Sequence, residues 1–412
     1  MNEAPKDRDH KRIGKELDLF AFSDAVGKGL PLWTEKGSVI RRELERFIVD
    51  EETKRGYNHV YTPEIAKLDL FKKSGHYPHY KDSMYAPVEV DDEKFMLRPM
   101  TCPHHFELYL RKPHSYKELP IRIAELARLY RYEQSGELMG LQRVRSFCLS
   151  DAHIICKDDE QAIDEIERAL DLIDFVAKTM RLEKGKDYWY RLSLGDRADT
   201  EKYYKDDASW EKSEDLMRKL LKKRGDEFKE AKGEAAFYGP KIDVQMKNAN
   251  GKEDTAFTVQ YDFCMPSRFE LVYTNEKGEK QLSKVVHRSS VGAIERIIAF
   301  LIEKYEGAFP LWLSPVQVKI APVRETNYEK AKEIGEALKA AGLRPDVDLG
   351  DTGFGKKVRD AKDNKVPYTI IIGDKDMEKG VVTLESRDKG KLGEMKLEDV
   401  VRTLSQESSS RI

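Results

Sequence analysis

The sequence predicts an α+β protein, a mostly antiparallel sheet flanked by helices, followed by a small α/β domain. Three observations carry this. Between about residues 94 and 290, several short segments alternate polar and apolar residues with the period of half-buried strands. Long helical patterns bracket them. From about 315 the segments run β, α, β, α, β. The 412 residues are enough for two or three domains.

After a polar start, "SVIRRELERFIVDEETKRGY" (38–57) carries apolar residues at helical spacing. "NHVYTPEIAKLDLF" reads as a short strand that turns at Pro63 into another helix. "KFMLRPM", "LPIRIAELARLYRYEQ" and "QRVRSFCLSDAHIIC" read as strands, with "SGELMG" in a loop between them. An amphipathic helix is expected over 158–180. A second, "DASWEKSEDLMRKLLKKRG", lies in a charged stretch that reads as a peripheral insertion. Alternation returns in "KIDVQMKN" and "DTAFTVQYDF", and 292–307 reads as a long buried helix. Composition shifts at "GAFPLWLSP", which places a domain boundary at about 310: one domain over 1–310 and a second over 311–412. No repeat is evident, and the polar tail "SQESSSRI" reads as disordered.

Lys plus Arg (73) nearly balance Asp plus Glu (75), so any nucleic-acid-binding surface is local. Four irregularly spaced cysteines (Cys102, Cys148, Cys156, Cys264) argue against a disulfide framework and for a reducing compartment. No apolar run reaches the roughly 18 residues of a membrane span. The N-terminus is too charged for a signal peptide. The expectation is a cytoplasmic protein with no membrane partner.

The strands carry unusual polar rows. In "VRSFCLSDAH", Arg145, Phe147, Leu149, Asp151 and His153 share one face, with Arg143 one step back. The other face holds Val144, Ser146, Cys148, Ser150 and Ala152. Lys241, Asp243 and Gln245 share a face, as do Thr258, Gln260 and Asp262, and as do Arg131 and Glu133. A single polar face is ordinarily just solvated. Several in register, with Phe147 and Leu149 among the charges, read as a ligand-binding floor. Arginines there suit a polyphosphate, because a guanidinium fork matches phosphate oxygens; salt-bridged strand edges are the competing reading. No P-loop occurs, and "GDTGFG" (350–355) reads as a turn before a helix.

Cys102, His153 and His287 are too dispersed for a structural zinc-finger spacing. Three such ligands with an open fourth position would form a catalytic or substrate-binding zinc site. Taken singly, each reads as a packing cysteine or a hydrogen-bonded histidine.

"RPMTCPHH", "YRYEQSGELMGLQRVRSFCLSDAHIIC", "FYGPKIDV", "TVQYDFCMPSR" and "HRSSVGAIERIIAFLIE" together resemble the threonyl-tRNA synthetases, a family of class II aminoacyl-tRNA synthetases. The resemblance runs from about Asp9 to the end. It implies a class II catalytic domain with a six- or seven-stranded antiparallel sheet, a homodimer built around Pro63, and an anticodon-binding α/β domain. It implies ATP, with Mg2+, L-threonine and tRNA(Thr) as substrates, and zinc on Cys102, His153 and His287 contacting the threonine amino and hydroxyl groups. Met100, Asp151, Tyr238 and Gln260 fall on threonine-binding positions. Arg131 falls on the α-phosphate contact, Glu133 and Phe147 on adenine contacts, and Arg143 on a γ-phosphate contact. Arg296 falls on a clamp at the adenine or phosphate side. Lys241 and Gln260 match adenylate contacts. His76 sits where the family has a histidine implicated in transfer to tRNA, with an ordinary surface histidine as the alternative. Lys356, Lys357 and Arg359 are candidate tRNA-backbone contacts.

The chain also departs from the family pattern. Thr101 and His104 replace Asn and Gly, Leu149 stands where a polar residue is expected, and Thr255 replaces a glutamine. No acidic residue stands at Thr352. The N-terminal region that hydrolyses misformed seryl-tRNA in family members is not expected in this chain, so uncorrected serine charging is anticipated. Three rival readings are open to the residues. A prolyl-type synthetase would leave the Cys–His–His set idle. A non-catalytic paralogue would be expected to lose Arg131 or Arg296. A zinc hydrolase would leave the arginines without a role.

Overall fold

The computed structural model describes residues 8–411; residues 1–7 and 412, the ends of the charged start and polar tail, lie outside the described residues. Packing divides the chain into two units. The first gathers 22–30 and 45–299, and the second gathers the described part of 7–21 with 31–44 and 300–412. This differs from a single cut near 310. The early helix His10–Glu16 belongs with the second unit, where His10 Nδ1 meets Glu303 Oε1 at 2.7 Å and Leu17 lies against Gly307. A long-range contact of that kind leaves no compositional trace.

The first unit is built on an eight-stranded sheet. Its order is Phe228–Lys232, Tyr188–Leu194, Lys241–Lys247, Glu253–Asp262, Lys284–Ser289, Ser146–Cys156, Ile121–Tyr130 and Asn58–His59. The six inner strands pair antiparallel; each edge strand pairs parallel to its neighbour. Two strands exceed expectation, 188–194 and 228–232, on either side of the helix Asp207–Arg224. That helix is therefore a crossover between two parallel neighbours rather than a peripheral insertion. In the 188–194 strand Tyr188, Tyr190 and Leu192 are buried, a period-two signal the sequence carried.

One sheet face is covered by helices. Asp159–Thr179 packs on the strands Ser146–Cys156, Glu253–Asp262 and Lys284–Ser289. Its start is set by Asp158, whose side chain accepts from Gln161 N, and by Asp159 and Glu160 at the positive end of the helix dipole. Its apolar stripe, including Ile166, Leu170, Ile173 and Val176, is fully buried. The helix Glu35–Lys54 contributes Glu52 to a buried cluster on the same side. Arg288 Nη1 donates to Glu52 Oε1 at 2.5 Å, and the Ser150 and Ser290 hydroxyls donate to the same oxygen.

A three-stranded sheet, ordered Ile65–Lys67, Glu93–Leu97, Val88–Val90, stands beside the main one. The chain therefore does not pass from Pro63 straight into a helix. Ile65–Lys67 intervenes, and Leu68–Lys73 follows.

In the second unit the sheet runs Pro345–Val347, Val318–Pro322, Tyr368–Ile372, Val382–Ser386, Gly390–Met395. The first three strands are parallel, as the β, α, β, α, β reading implies, and a hairpin extends them. Ile320, Ile334, Leu338, Ile370, Leu384, Val400 and Leu404 form its core. The tail read as disordered is helical, Leu397–Ser410. Its last turns lack apolar residues but are tied down by hydrogen bonds: Tyr368 OH donates to Glu407, and Gln317 Nε2 to Ser408 Oγ.

Burial alone would push the Glu52 carboxyl up; Arg288, His59 and Ser290 overcome it and hold it at about 2, below its ordinary 4.5. The stabilisation from this depressed carboxyl is complete above about pH 4.5 and is lost as pH falls toward 2. Glu52→Gln leaves Arg288 buried without its counter-charge and is expected to cost about 3–5 kcal/mol in urea unfolding at pH 7. It should also flatten the acid limb of the stability curve.

Candidate active site and metal centre

The exposed face of the main sheet floors a cleft of about 630 Å³. Strand register sets the floor. His153 is paired with His287, His287 with Gln260, Gln260 with Lys241 and Lys241 with Ser193, giving one straight transverse row. Asp151 lies one step along, beside a parallel row in which Ser289 pairs with Thr258 and Thr258 with Asp243. Because side chains alternate along each strand, these residues point into the cleft together.

Cys102 reaches the row from the first turn of the helix Cys102–Leu110. The ligand atoms of Cys102, His153 and His287 all lie within 4.8 Å of one another, and all three residues are buried. The outward-facing ring nitrogens are already engaged. His287 Nε2 is 2.7 Å from Asp262 Oδ2, and Asp262 Oδ1 accepts from the backbone N–H groups of Cys264 and Met265. His153 Nδ1 is 2.8 Å from His105 Nδ1. His153 Nε2, His287 Nδ1 and the Cys102 sulfur are thus the atoms presented inward. Burial pushes the Cys102 thiol well up, reinforced by Asp151 and Asp262, and holds the His153 ring well below its ordinary range, helped by His287 and His105. One soft thiolate donor and two imidazoles suit a zinc ion, which displaces the thiol proton on binding.

The cleft walls carry the arginines. The strand Ile121–Tyr130 ends one residue short of Arg131, yet Arg131 and Glu133 both line the cleft. Arg131 is held by its Nε on Pro99 O at 3.2 Å and lies 5.1 Å over the Phe147 ring. Burial lowers its pKa from its ordinary value, and Glu133 opposes that. Arg143 faces Glu133 at 3.4 Å. Arg296, on the helix Ile294–Tyr305, donates to the carbonyls of Gln142 (2.9 Å) and Thr255 (2.6 Å). Gly292 lets that helix approach the sheet: its φ is +68°, and a Cβ there would sit 2.0 Å from Ala256 O. Tyr238 OH donates to Gln260 Oε1 at 2.6 Å, Lys241 pairs with Asp243 at 3.0 Å, and Met100 lines the same wall.

His76 is buried in the cleft, not on the surface. Its Nδ1 is 2.7 Å from Ser74 Oγ and its Nε2 3.8 Å from Cys102 Sγ. Burial, then neighbouring cations, pull its pKa to about 3, so the ring is neutral at pH 7.

Two expectations need correction. Arg145 does not share the cleft with Phe147. The regular strand starts only at Ser146, the preceding turn breaks the alternation, and Arg145 instead donates to Glu133 O and lies over Tyr132. Arg143 and Val144 line the cleft in its place. Lys357 is turned away from solvent rather than exposed for a backbone contact. It is 2% exposed, donates to Asp348 O at 2.9 Å and covers the Tyr328 ring, whereas Lys356 and Arg359 on the same helix are exposed. The sequence reading also missed His105, Glu125 and Arg98 behind the metal ligands. His105 is three residues after Cys102 on one helix face, a spacing that could have flagged it.

Residues 85–305 match the family model described as the tRNA synthetase class II core domain (G, H, P, S and T), and 317–407 match an anticodon binding domain. A threonine--tRNA ligase of Geobacillus sp. (strain WCH70) is 49% identical over 403 residues, covering 98% of this chain and 62% of that protein. One from Listeria monocytogenes serotype 4a (strain HCC23) is 50% identical over 385 residues, covering 93% and 60%. The chain thus spans about three fifths of these curated relatives. Among solved structures, the RNA binding domain of threonyl-tRNA synthetase from Cryptosporidium parvum Iowa II superposes with a TM-score of 0.90 at 32% identity, over 97% of this chain and 98% of that one. A threonyl-tRNA synthetase structure from Aeropyrum pernix gives 0.85 at 29%, over 98% and 97%.

His104, where the resemblance expects glycine, is 8% exposed, and neither ring nitrogen has a hydrogen-bond partner among the described residues. Burial, then Arg98, holds its pKa at about 4 against an ordinary 6.5. The unfolded chain therefore binds this proton more readily, and stability falls as pH drops from 6.5 toward 4. His104→Leu removes the unpaired nitrogens. It should raise stability by about 1–3 kcal/mol in urea unfolding at pH 7 and more at pH 5.

Proposed function

The chain belongs to the threonyl-tRNA synthetase family of class II aminoacyl-tRNA synthetases, and from that premise we propose that it activates L-threonine with ATP and transfers it to tRNA(Thr). The observation that carries the reading is the meeting of Cys102, His153 and His287 on the floor of a cleft walled by Arg131, Arg143 and Arg296. No rival reading uses both sets.

On this proposal Cys102 Sγ, His153 Nε2 and His287 Nδ1 hold zinc. When bound, the metal supplies a Lewis-acid position that takes the threonine amino and hydroxyl groups. Asp151 stands beside it as the buried carboxylate that receives the substrate. Burial raises its pKa and His105 lowers it, so a hydroxyl or ammonium hydrogen bond there is made in a dry site. Met100, Tyr238 and Gln260 complete the threonine pocket. Phe147 stacks on adenine and Glu133 accepts from its amino group. Attack of the threonine carboxylate oxygen on the α-phosphorus forms the mixed anhydride and expels pyrophosphate. Arg131 stabilises the charge that develops on the α-phosphate, Arg143 and Arg296 hold the rest of the triphosphate with its Mg2+, and Lys241 steadies the adenylate. Neutral His76, beside Cys102, is placed to assist the later transfer to tRNA.

Residues 1–310 then act as the catalytic domain and 311–412 as the anticodon-binding domain, with exposed Lys356 and Arg359 as backbone contacts. A homodimer is supported by apolar side chains left exposed near Pro63: Tyr61 (97%), Ile65, Val88 and Val90. No helix among the described residues is long and apolar enough to cross a membrane, and cytoplasmic action is part of the proposal.

Amino-acid-dependent ATP–pyrophosphate exchange tests this directly. Exchange is expected with threonine, with none above background for proline, and removal of zinc by a chelator should abolish it; threonine exchange that persists in verified zinc-free protein defeats the metal assignment. Discrimination is predicted to be uneven. Valine leaves the hydroxyl-binding groups unpaired and should be rejected by roughly 10⁴-fold or more, whereas serine lacks only a methyl and should be activated with kcat/KM down only about 10–200-fold. Seryl-adenylate formation too weak to measure would show that some further element excludes serine.

A further inference from the structure

Two histidines present opposite ring nitrogens to the metal centre. A neutral imidazole carries one proton and only the bare nitrogen ligates, so a tautomer set in advance spares the metal the cost of shifting it. For His287 the choice is simple: its Nε2 proton goes to Asp262, itself fixed by two backbone N–H groups.

For His153 the choice is made through another imidazole. The Nδ1 atoms of His105 and His153 are 2.8 Å apart, so one donates and one accepts. His105 Nε2 faces Glu125 Oε2 at 3.3 Å. Glu125 is surrounded by donors. Arg98 Nη2 donates to Oε1 at 2.8 Å and Thr62 Oγ1 to Oε2 at 2.7 Å; that hydroxyl in turn accepts from Arg98 Nη1, so its own proton points at Glu125. The carboxylate can only accept. A neutral His105 therefore carries its proton on Nε2 and leaves its Nδ1 bare, so the shared proton belongs to His153 Nδ1.

We propose that His105, held by Glu125, is a positioning residue that fixes the His153 proton on Nδ1 and so leaves His153 Nε2 as the metal ligand. It touches neither substrate nor metal. Arg98, Thr62, Glu125 and His105 form one relay, buried except for Thr62, whose product is a tautomer, and partners of this kind commonly set ligand orientation and affinity. The inference rests on the zinc reading above, and its test separates the two.

The test uses two near-isosteric variants with opposite placement of the acceptor. In His105→Asn the amide oxygen takes the place of ring Nδ1 and accepts from His153. In His105→Gln the amide sits at the place of Nε2, toward Glu125. Zinc affinity, measured by competition with a chromophoric chelator, should fall roughly 10–100-fold in His105→Gln and stay within about threefold of wild type in His105→Asn. Metal-free protein labelled with 15N-histidine should show His153 protonated on Nδ1 in the wild type and His105→Asn, and not in His105→Gln. Equal losses in both variants would assign His105 a packing role and overturn the proposal, as would unchanged affinity in both or a wild-type His153 protonated on Nε2. A wild-type protein that binds no zinc, yet keeps His153 Nδ1–H and loses it in His105→Gln, would defeat the zinc reading and leave the proton assignment standing.

Discussion

Pairing register across four adjacent strands is the constraint on which the site depends. His153, His287, Gln260 and Lys241 lie side by side only because each is the direct cross-strand partner of the next. A slip of one residue in any strand would turn its polar row into the helix layer and its apolar row into the cleft. The core enforces the register: Ile154, Val286, Val259 and Ile242 alternate with the row and are fully buried beneath it. The same alternation that pays for folding therefore aligns the chemistry.

Where the helix layer meets the sheet, charges are buried instead of excluded, and each is matched. Arg288 alternates with His287, so it points away from the cleft, where Glu52 and Ser290 meet it. On the opposite face, two strands away, Glu125 is the cross-strand partner of Asp151 and takes Arg98, Thr62 and His105; burial raises that carboxyl's pKa, and the hydrogen bonds of these three more than offset it, to about 2. Matched buried charges add little net stability over apolar residues but are costly to unmatch. They make the site brittle toward substitution and rigid when intact, as a centre that must hold three ligand atoms within a few ångströms requires.

Much of this was legible in the chain. The face shared by Phe147, Leu149, Asp151 and His153 follows from period two, and the floor residues Lys241, Gln260 and Thr258 from the same rule. Dispersed ligands were a different matter. Spacing could not unite Cys102, His153 and His287, and only motif resemblance brought them together. Alternation failed where regular strand failed: Arg145 sits in a turn, so its phase was wrong. Lys357 misled because a lysine in a basic helix reads as exposed, although its stem and ammonium fill a gap between Tyr328 and Asp348. Only the end of the C-terminal helix was invisible: the apolar stripe of Leu397, Val400, Val401 and Leu404 stops short of its last turns, which are held by hydrogen bonds to Tyr368 and Gln317. His105 escaped notice because a residue acting through another leaves no chemistry of its own in the pattern.

All four cysteines are buried, and they stand at different places in the same framework. Cys102 lines the cleft from the start of its helix, Cys148 and Cys156 lie in the inner strand Ser146–Cys156, and Cys264 precedes the short helix after the strand Glu253–Asp262. Burial holds the Cys102 and Cys156 thiols well above their ordinary range and pushes Cys264 up to about 12. In the closed protein none of these three is a useful nucleophile. Modification by a small thiol reagent is then gated by transient exposure, and its rate counts how often each neighbourhood opens. The unaltered chain so carries its own clock for breathing motions. Cys156 times the sheet interior, Cys264 its flank, and Cys102 the cleft, where a bound ion would stop the clock.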